Sequence, residues 1–284
     1  TGTVMYNAND TEQTDFSVGI IGCGWLGKAL AVALMEKGVS ILATSSKQEN
    51  VDKLIQQGIN AQQLLVPSQN EQLSQQDIFA QHYLVIAITP QFKKGRTDYA
   101  DKIAQLVNAA QKRGITQRII LLSTTGVYQG LTGIVNEESR LNTTIAKVAM
   151  IEAAEQVVLE FKPQANVIRL AGLLGPDRHP RKFVLANKTL IDSMAPVNFI
   201  HQQDAVGLIE SLLTTGANSG IFNGVCDTHV SKRHFYQVAT KALPLDAAVL
   251  SSNGANDIDK IVSGDKAKQG LNYKFIYPEL LTWL

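Results

Sequence analysis

Six residues near the start of the chain constrain its fold more than any other feature. Gly22-Cys23-Gly24-Trp25-Leu26-Gly27 lies between an apolar run, Ser17–Gly22, and a helical pattern, Trp25–Lys37, that Gly38 ends. In a strand–turn–helix unit each glycine of such a G-x-G-x-x-G has a mechanical use. Gly22 permits the tight turn, Gly24 lets a ligand approach the backbone, and Gly27 lets the helix pack closely on the strand. The helix N-terminus adds free N–H groups and a partial positive charge suited to phosphates. The pattern predicts a dinucleotide pyrophosphate held at Gly22, Gly24, Trp25, Leu26 and Gly27. The alternative is a turn whose glycines serve packing alone.

The rest of the first 170 residues alternates apolar runs with helical patterns. Val39–Thr44, Ile59–Val66, Tyr83–Thr89, Arg118–Ser123 and Ala165–Leu170 read as extended segments. Gln48–Gln57, Thr97–Arg113 and Thr144–Phe161 read as helices, the second with apolar residues at 103, 106, 107 and 110. Nearly continuous apolar strands separated by helices indicate an α/β, doubly wound parallel sheet of Rossmann type, covered on both faces. After Leu170 the pattern loosens around Gly172, Gly175, Pro176 and Pro180. The expected organisation is a polar tail over 1–16, disordered or tag-derived, a dinucleotide-binding domain over 17–170, and a small substrate lobe over 171–284. Residues 198–225 are expected to return to the main sheet.

A dinucleotide site specific for NAD places Asp or Glu about 20 residues after the glycines, to bond the ribose 2′-hydroxyl. Here the second strand ends Thr44-Ser45-Ser46-Lys47, without a carboxylate. Small hydroxyls followed by a cation suit a 2′-phosphate. The expected cofactor is therefore NADP, with NAD the alternative. Formal net charge is +1, which gives no basic field for a nucleic-acid partner. Val18–Met35 carries only Lys28 as a charge, but its glycines at 19, 22, 24 and 27 argue for a buried strand and helix rather than a membrane span. The two cysteines, Cys23 and Cys226, make no C-x-x-C, and the five histidines are scattered, so neither a disulfide framework nor a metal site is expected. With no basic region ahead of an apolar one, residues 1–16 do not read as a secretory signal, and a cytoplasmic protein is expected.

Several later segments together resemble the extended short-chain dehydrogenases/reductases of the NAD-dependent epimerase/dehydratase superfamily. Ser123-Thr124-Thr125-Gly126-Val127-Tyr128 is similar to their strand-end segment, and Arg169 through Gly175-Pro176 to their R-x-x-x-x-x-G-P. Asn198-Phe199-Ile200-His201 with Asp204 resembles F-I-H-V-x-D, and Ile221-Phe222-Asn223 resembles V-Y-N. The stretch from Ile261-Val262-Ser263 to Gly270-Leu271-Asn272-Tyr273 resembles their closing segment. Gly24-Trp25-Leu26-Gly27 and Arg169 through His179-Pro180 resemble the short bacterial YeeZ-type members. The resemblance implies that Thr89, Ser123, Gly172 and Leu173 also touch the cofactor. It implies a catalytic hydroxyl at Thr124, and a homodimer formed through helices Thr97–Arg113 and Thr144–Phe161. The apolar stripe Val148, Ile151, Ala154 and Val158 suits either a dimer or the sheet.

The family's reaction uses a Tyr-x-x-x-Lys pair expected near 143–149, and this chain has Thr143-x-x-x-Lys147 there instead. A threonine hydroxyl is a poor acid or base near neutral pH. Tyr128 is expected to pack, Glu137 and Glu138 to be solvated or to cap the next helix, and His201 to serve structure. Arg178, His179 and Arg181, in a basic loop after Gly175-Pro176, are the expected grip for an anionic small-molecule substrate. Three functions follow as alternatives: an NADP-dependent oxidoreductase on a small anionic carbonyl or alcohol compound, a non-catalytic NADP-binding sensor, and a nucleotide-sugar epimerase or dehydratase.

Overall fold

A computed structural model describes residues 16–67, 72–185, 193–240 and 259–284. The tail expected over 1–16 falls outside them apart from Phe16, as does the 241–258 part of the expected lobe.

Strands β1 (Ser17–Ile21), β2 (Ser40–Ser45), β3 (Ala61–Gln63), β4 (Tyr83–Ile86), β5 (Arg118–Thr124), β7 (Gln164–Leu170) and β10 (Gly220–Gly224) form one parallel sheet in the order β10-β7-β5-β4-β1-β2-β3. This is the Rossmann-type arrangement. The strands need no polar face because helices cover both sides. Side chains alternate between the two coverings, as the period-2 geometry of a strand requires. Val18, Ile20, Val85 and Ile120 pack with Leu30 and Leu34 of α1 (Trp25–Glu36) and Leu208 and Leu212 of α6 (Gln202–Thr214). Ile21, Leu84, Ile86, Ile119 and Leu121 pack on the other face with Ile103 and Leu106 of α3 (Tyr99–Arg113) and Ala154 and Val158 of α4 (Ala146–Leu159).

Both α3 and α4 begin two residues later than the sequence pattern suggests. The α4 stripe Val148, Ile151, Ala154 and Val158 is fully consumed by the core, each residue being at most 1% exposed. It therefore offers nothing to a four-helix dimer interface.

The segment 198–225 divides between two sheets. β10 joins the main sheet beside β7, whereas β9 (Phe199–His201) pairs with β8 (Gly172–Leu174) in a separate two-stranded sheet. β6 (Gly133–Val135) and β11 (Lys260–Val262) form a second small sheet. Buried Asp204 fastens the C-terminal segment to α6, accepting from the Tyr273 hydroxyl at 2.9 Å and the amides of Ile276 and Tyr277 at 2.6 and 2.9 Å. No helix of the described residues is long and apolar enough to cross a membrane.

Candidate functional site

The sheet order reverses between β1 and β4, so the loops leaving their carboxyl ends diverge and open a crevice, the usual ligand position in such sheets. Two adjoining cavities of about 390 and 290 Å³ occupy it, both lined by Gly22, Gly24, Ala87 and Thr89.

The three glycines of the turn differ physically. Gly22 has φ +89°, and a Cβ there would lie 2.9 Å from Ile88 Cγ2 and 3.0 Å from the Ile88 backbone nitrogen. Gly27 packs α1 on β1, since its Cβ would meet Ile20 Cγ2 at 3.2 Å. Gly24 has an extended backbone (φ −89°, ψ −152°), and a Cβ would meet nothing within 4 Å. The protein itself therefore does not need a glycine there; the space beside it belongs to the cleft. No side chain caps the first turn of α1, and no acidic residue lies in it. The cradle fits a phosphate group on both counts.

At one end of the crevice Ser45, Ser46 and Asn50 line the cavity, and its lining includes no carboxylate. Thr44 lines this cavity too, although it is 1% exposed, and its Oγ1 braces the turn by accepting the Gly22 amide at 3.3 Å. Lys47 follows Ser46 directly. It sits at the N-cap of α2 (Gln48–Gln56), exposed and outside the cavity lining. The cation that does line this end is Lys102 of α3, 3.3 Å from Asp98. Nothing in the sequence signals Lys102, because only the fold brings α3 beside the β2 end.

At the other end Leu122, Ser123, Thr124, Leu170, Ala171, Leu173 and Arg178 complete the larger cavity. Gly172 is instead packed against the Phe199 ring, where a Cβ would lie 2.4 Å from Cδ1. Thr124 Oγ1 accepts the Gly126 amide at 3.0 Å, starting the 3-10 turn Thr125–Tyr128. Lys147 Nζ reaches the same turn: a Cβ on Gly126 would lie 3.4 Å from it and 3.3 Å from Thr124 Oγ1. Its ammonium also stands 5.6 Å from the Phe92 ring centroid. Lys260 approaches from β11, Nζ donating to the Tyr128 carbonyl at 3.1 Å. Burial, then the charges of Lys147 and Lys232, hold the Lys260 ammonium below its ordinary range.

Thr143 does not pair with Lys147 in this site. It precedes α4, is exposed, and lines a different cavity with Glu137, Arg140, Glu152 and Arg169. Along α4, Lys147 faces the Thr124 turn, and one helical turn on comes buried Ile151, which lines a small cavity of about 100 Å³ with Thr89, Tyr99, Ser123 and Thr124. Tyr99 is a phenol that the sequence reading missed. Burial and then the Glu155 charge push its pKa up, so it stays protonated. Tyr128 is fully buried, donates to Asn223 Oδ1 at 2.8 Å and accepts from Arg169 Nη1 at 2.9 Å. Burial raises its pKa against the opposing pull of Arg169. Arg169 in turn pairs with Glu155 at 2.7 Å inside the core, and Ser123 Oγ donates to Glu155 at 2.5 Å. Glu137 neither caps a helix nor stands free: it accepts the Asn223 amide at 2.6 Å.

The basic loop spreads its residues. The Arg178 guanidinium lies over the Trp25 indole, 4.2 Å from the ring centroid. The His179 ring packs on Trp283 at 5.3 Å, and burial and then the charges of Arg181 and Lys182 lower its pKa. Arg181 is exposed at the start of α5 (Arg181–Leu185). His201 is 3% exposed, with Nδ1 accepting the Gln203 amide at 3.2 Å as the N-cap of α6. Cys23 and Cys226 are free and buried, and burial raises each thiol to about 11.

Residues 17–94 match the family model described as NADP oxidoreductase, coenzyme F420-dependent. The chain is 29% identical over 271 residues to protein YeeZ of Escherichia coli (strain K12), covering 93% of this chain and 97% of that one. A conserved protein of unknown function from Silicibacter pomeroyi DSS superposes with a TM-score of 0.72 at 22% identity, over 94% of this chain and 96% of that one. The Bordetella bronchiseptica enzyme WbmG, solved with NAD and UDP, gives 0.73 at 18% identity, over 94% of this chain and 93% of that one. The chain is thus a homologue of YeeZ along nearly its whole length, built on the fold shared by NAD-dependent epimerase/dehydratase and short-chain dehydrogenase/reductase structures.

Proposed function

We propose that this protein binds a nicotinamide dinucleotide, NADP in preference to NAD, and exchanges hydride with a small anionic carbonyl or alcohol compound. The observation that carries the reading is Gly24: its missing side chain leaves open space at a helix N-terminus and relieves no contact within the protein. WbmG, which shares the fold, was solved with NAD, which supports a dinucleotide in this crevice. Ser45, Ser46 and Asn50 would meet the adenosine ribose, and the missing carboxylate at that end favours a 2′-phosphate.

The bound cofactor would supply or accept the hydride at the Thr124 end. There Thr124 polarises the reacting oxygen, and Lys147 supplies the proton. Lys147 and Lys260, both at the Thr125–Tyr128 turn, favour a substrate with a carboxylate or phosphate.

A second reading, an NADP-binding sensor without turnover, is favoured by the state of the phenols. Tyr128 is committed to Asn223 and Arg169, and Tyr99 is buried and held protonated. Calorimetric titration with both dinucleotides tests the binding. Loss of NADPH absorbance over a panel of oxo acids and phosphorylated carbonyls, with wild type and Lys147→Met, then separates the readings. Turnover that falls at least tenfold in the variant, with cofactor affinity unchanged, supports the enzyme. Binding without turnover on any compound supports the sensor, and no binding of either dinucleotide overturns both.

A further inference from the structure

We propose that Arg178 is a clamp on the cofactor's pyrophosphate, acting together with the glycine turn whose cavity it shares, and is not part of the substrate grip. The inference rests on the dinucleotide reading of the same crevice and assigns one group within it.

The loop that carries Arg178 is built to hold one geometry. Gly175-Pro176-Asp177-Arg178 is a tight turn in which the Arg178 amide donates to the Gly175 carbonyl at 3.0 Å. Proline at its second position and φ +64° at Asp177, its third, are the pattern of a type II turn. Aspartate tolerates that left-handed backbone better than most residues. Two further bonds pin the turn: Trp25 Nε1 donates to the Pro176 carbonyl at 3.1 Å, and Lys182 Nζ to the Asp177 carbonyl at 2.7 Å.

Trp25 is the first residue of α1 and follows Gly24 directly. The indole therefore joins the loop to the phosphate cradle and gives the guanidinium a flat surface to stack on. Arg178 lines the same cavity as Gly22, Gly24 and Gly27. Among the described residues it forms no ion pair. The helix N-terminus supplies N–H donors to this cavity, and Arg178 adds a planar fork of donors to the same lining. A diphosphate between them is held by both, and the fork suits its paired oxygens better than an ammonium would.

The test is titration of the full chain with NAD, NADP, ADP-ribose and AMP, comparing wild type with Arg178→Ala and Arg178→Lys. Arg178 is exposed, so the substitutions leave the core intact. The clamp predicts that Arg178→Ala loses about tenfold or more in affinity for NAD, NADP and ADP-ribose alike, that the NADP-to-NAD ratio stays the same, and that AMP is affected least. Arg178→Lys should recover part of the loss. Equal affinities in wild type and Arg178→Ala overturn the clamp. A loss confined to NADP overturns it too, because Arg178 would then be reading the 2′-phosphate. If wild type takes up no dinucleotide while remaining folded, the cofactor reading itself falls, and the clamp with it.

Discussion

Replacing Gly24 with alanine should separate binding from folding more cleanly than any other change in the turn. The backbone at Gly24 is extended, φ −89° and ψ −152°, so an alanine there escapes the left-handed penalty. The new Cβ meets no protein atom within 4 Å. Gly24 is the N-cap of α1, where alanine is less favoured than glycine, a cost of up to about 1 kcal/mol. The lost unfolded-state freedom of glycine returns about 0.4–1 kcal/mol. The net effect on stability is near zero, so Tm should move by no more than about 2–4 °C. In the proposed complex the methyl group would stand where the pyrophosphate approaches the backbone. Losing that contact should weaken NADP and NAD binding about 10- to 100-fold, equivalent to about 1.4–2.8 kcal/mol. Gly22→Ala is the contrasting control. It forces a left-handed backbone, costing about 1–2 kcal/mol, and adds a clash with the Ile88 backbone nitrogen at 3.0 Å. It should lower Tm clearly even without ligand. Thermal melts and calorimetric titration of the two variants decide the matter. Unchanged dinucleotide affinity in Gly24→Ala, or a melting loss as large as that of Gly22→Ala, would refute the assignment of that space to the cofactor.

Three further outcomes follow from the buried polar groups. Tyr128→Phe strips a partner from Asn223 and Arg169 and should cost about 1–3 kcal/mol in urea unfolding, yet leave NADPH turnover within about threefold, because the phenol is structural. Glu155→Gln leaves Arg169 charged and unpaired in the core, and should cost about 3–5 kcal/mol, read as a much lower denaturation midpoint. His201 is held neutral chiefly by burial, with Asp204 opposing. The unfolded chain therefore binds the proton more readily, and stability is complete above the ordinary histidine pKa of 6.5 and is lost as pH falls below it. His201→Asn keeps an N-cap acceptor, and its stability should fall less steeply between pH 7 and 5 than that of wild type. Equal slopes would sink the assignment.

The sequence by itself determined the sheet and the turn. Apolar runs such as Tyr83–Ile86 alternate with amphipathic helices, and that local periodicity can be satisfied only by a parallel sheet covered on both faces. The tight turn at Gly22, with φ +89°, and the close packing of Gly27 on Ile20 were legible for the same reason, since both belong to one strand–turn–helix unit. What lies at the crevice was decided by tertiary structure, because residues far apart in the chain meet there. Lys102 of α3 lines the cavity together with Ser45 and Ser46, residues more than 50 positions earlier. Thr143 and Lys147 are four residues apart, but the helix begins only at Ala146, so the spacing does not put them on one face. Thr44 lines the cavity, and only the fold shows that its hydroxyl also accepts the Gly22 amide. Arg178 reads as one of three loop cations until the fold stacks it on the Trp25 indole, 153 positions earlier, in the cavity that the glycine turn lines. Local patterns set which elements form, and packing between distant elements sets which side chains share a cavity and which charges stay unpaired to meet a ligand.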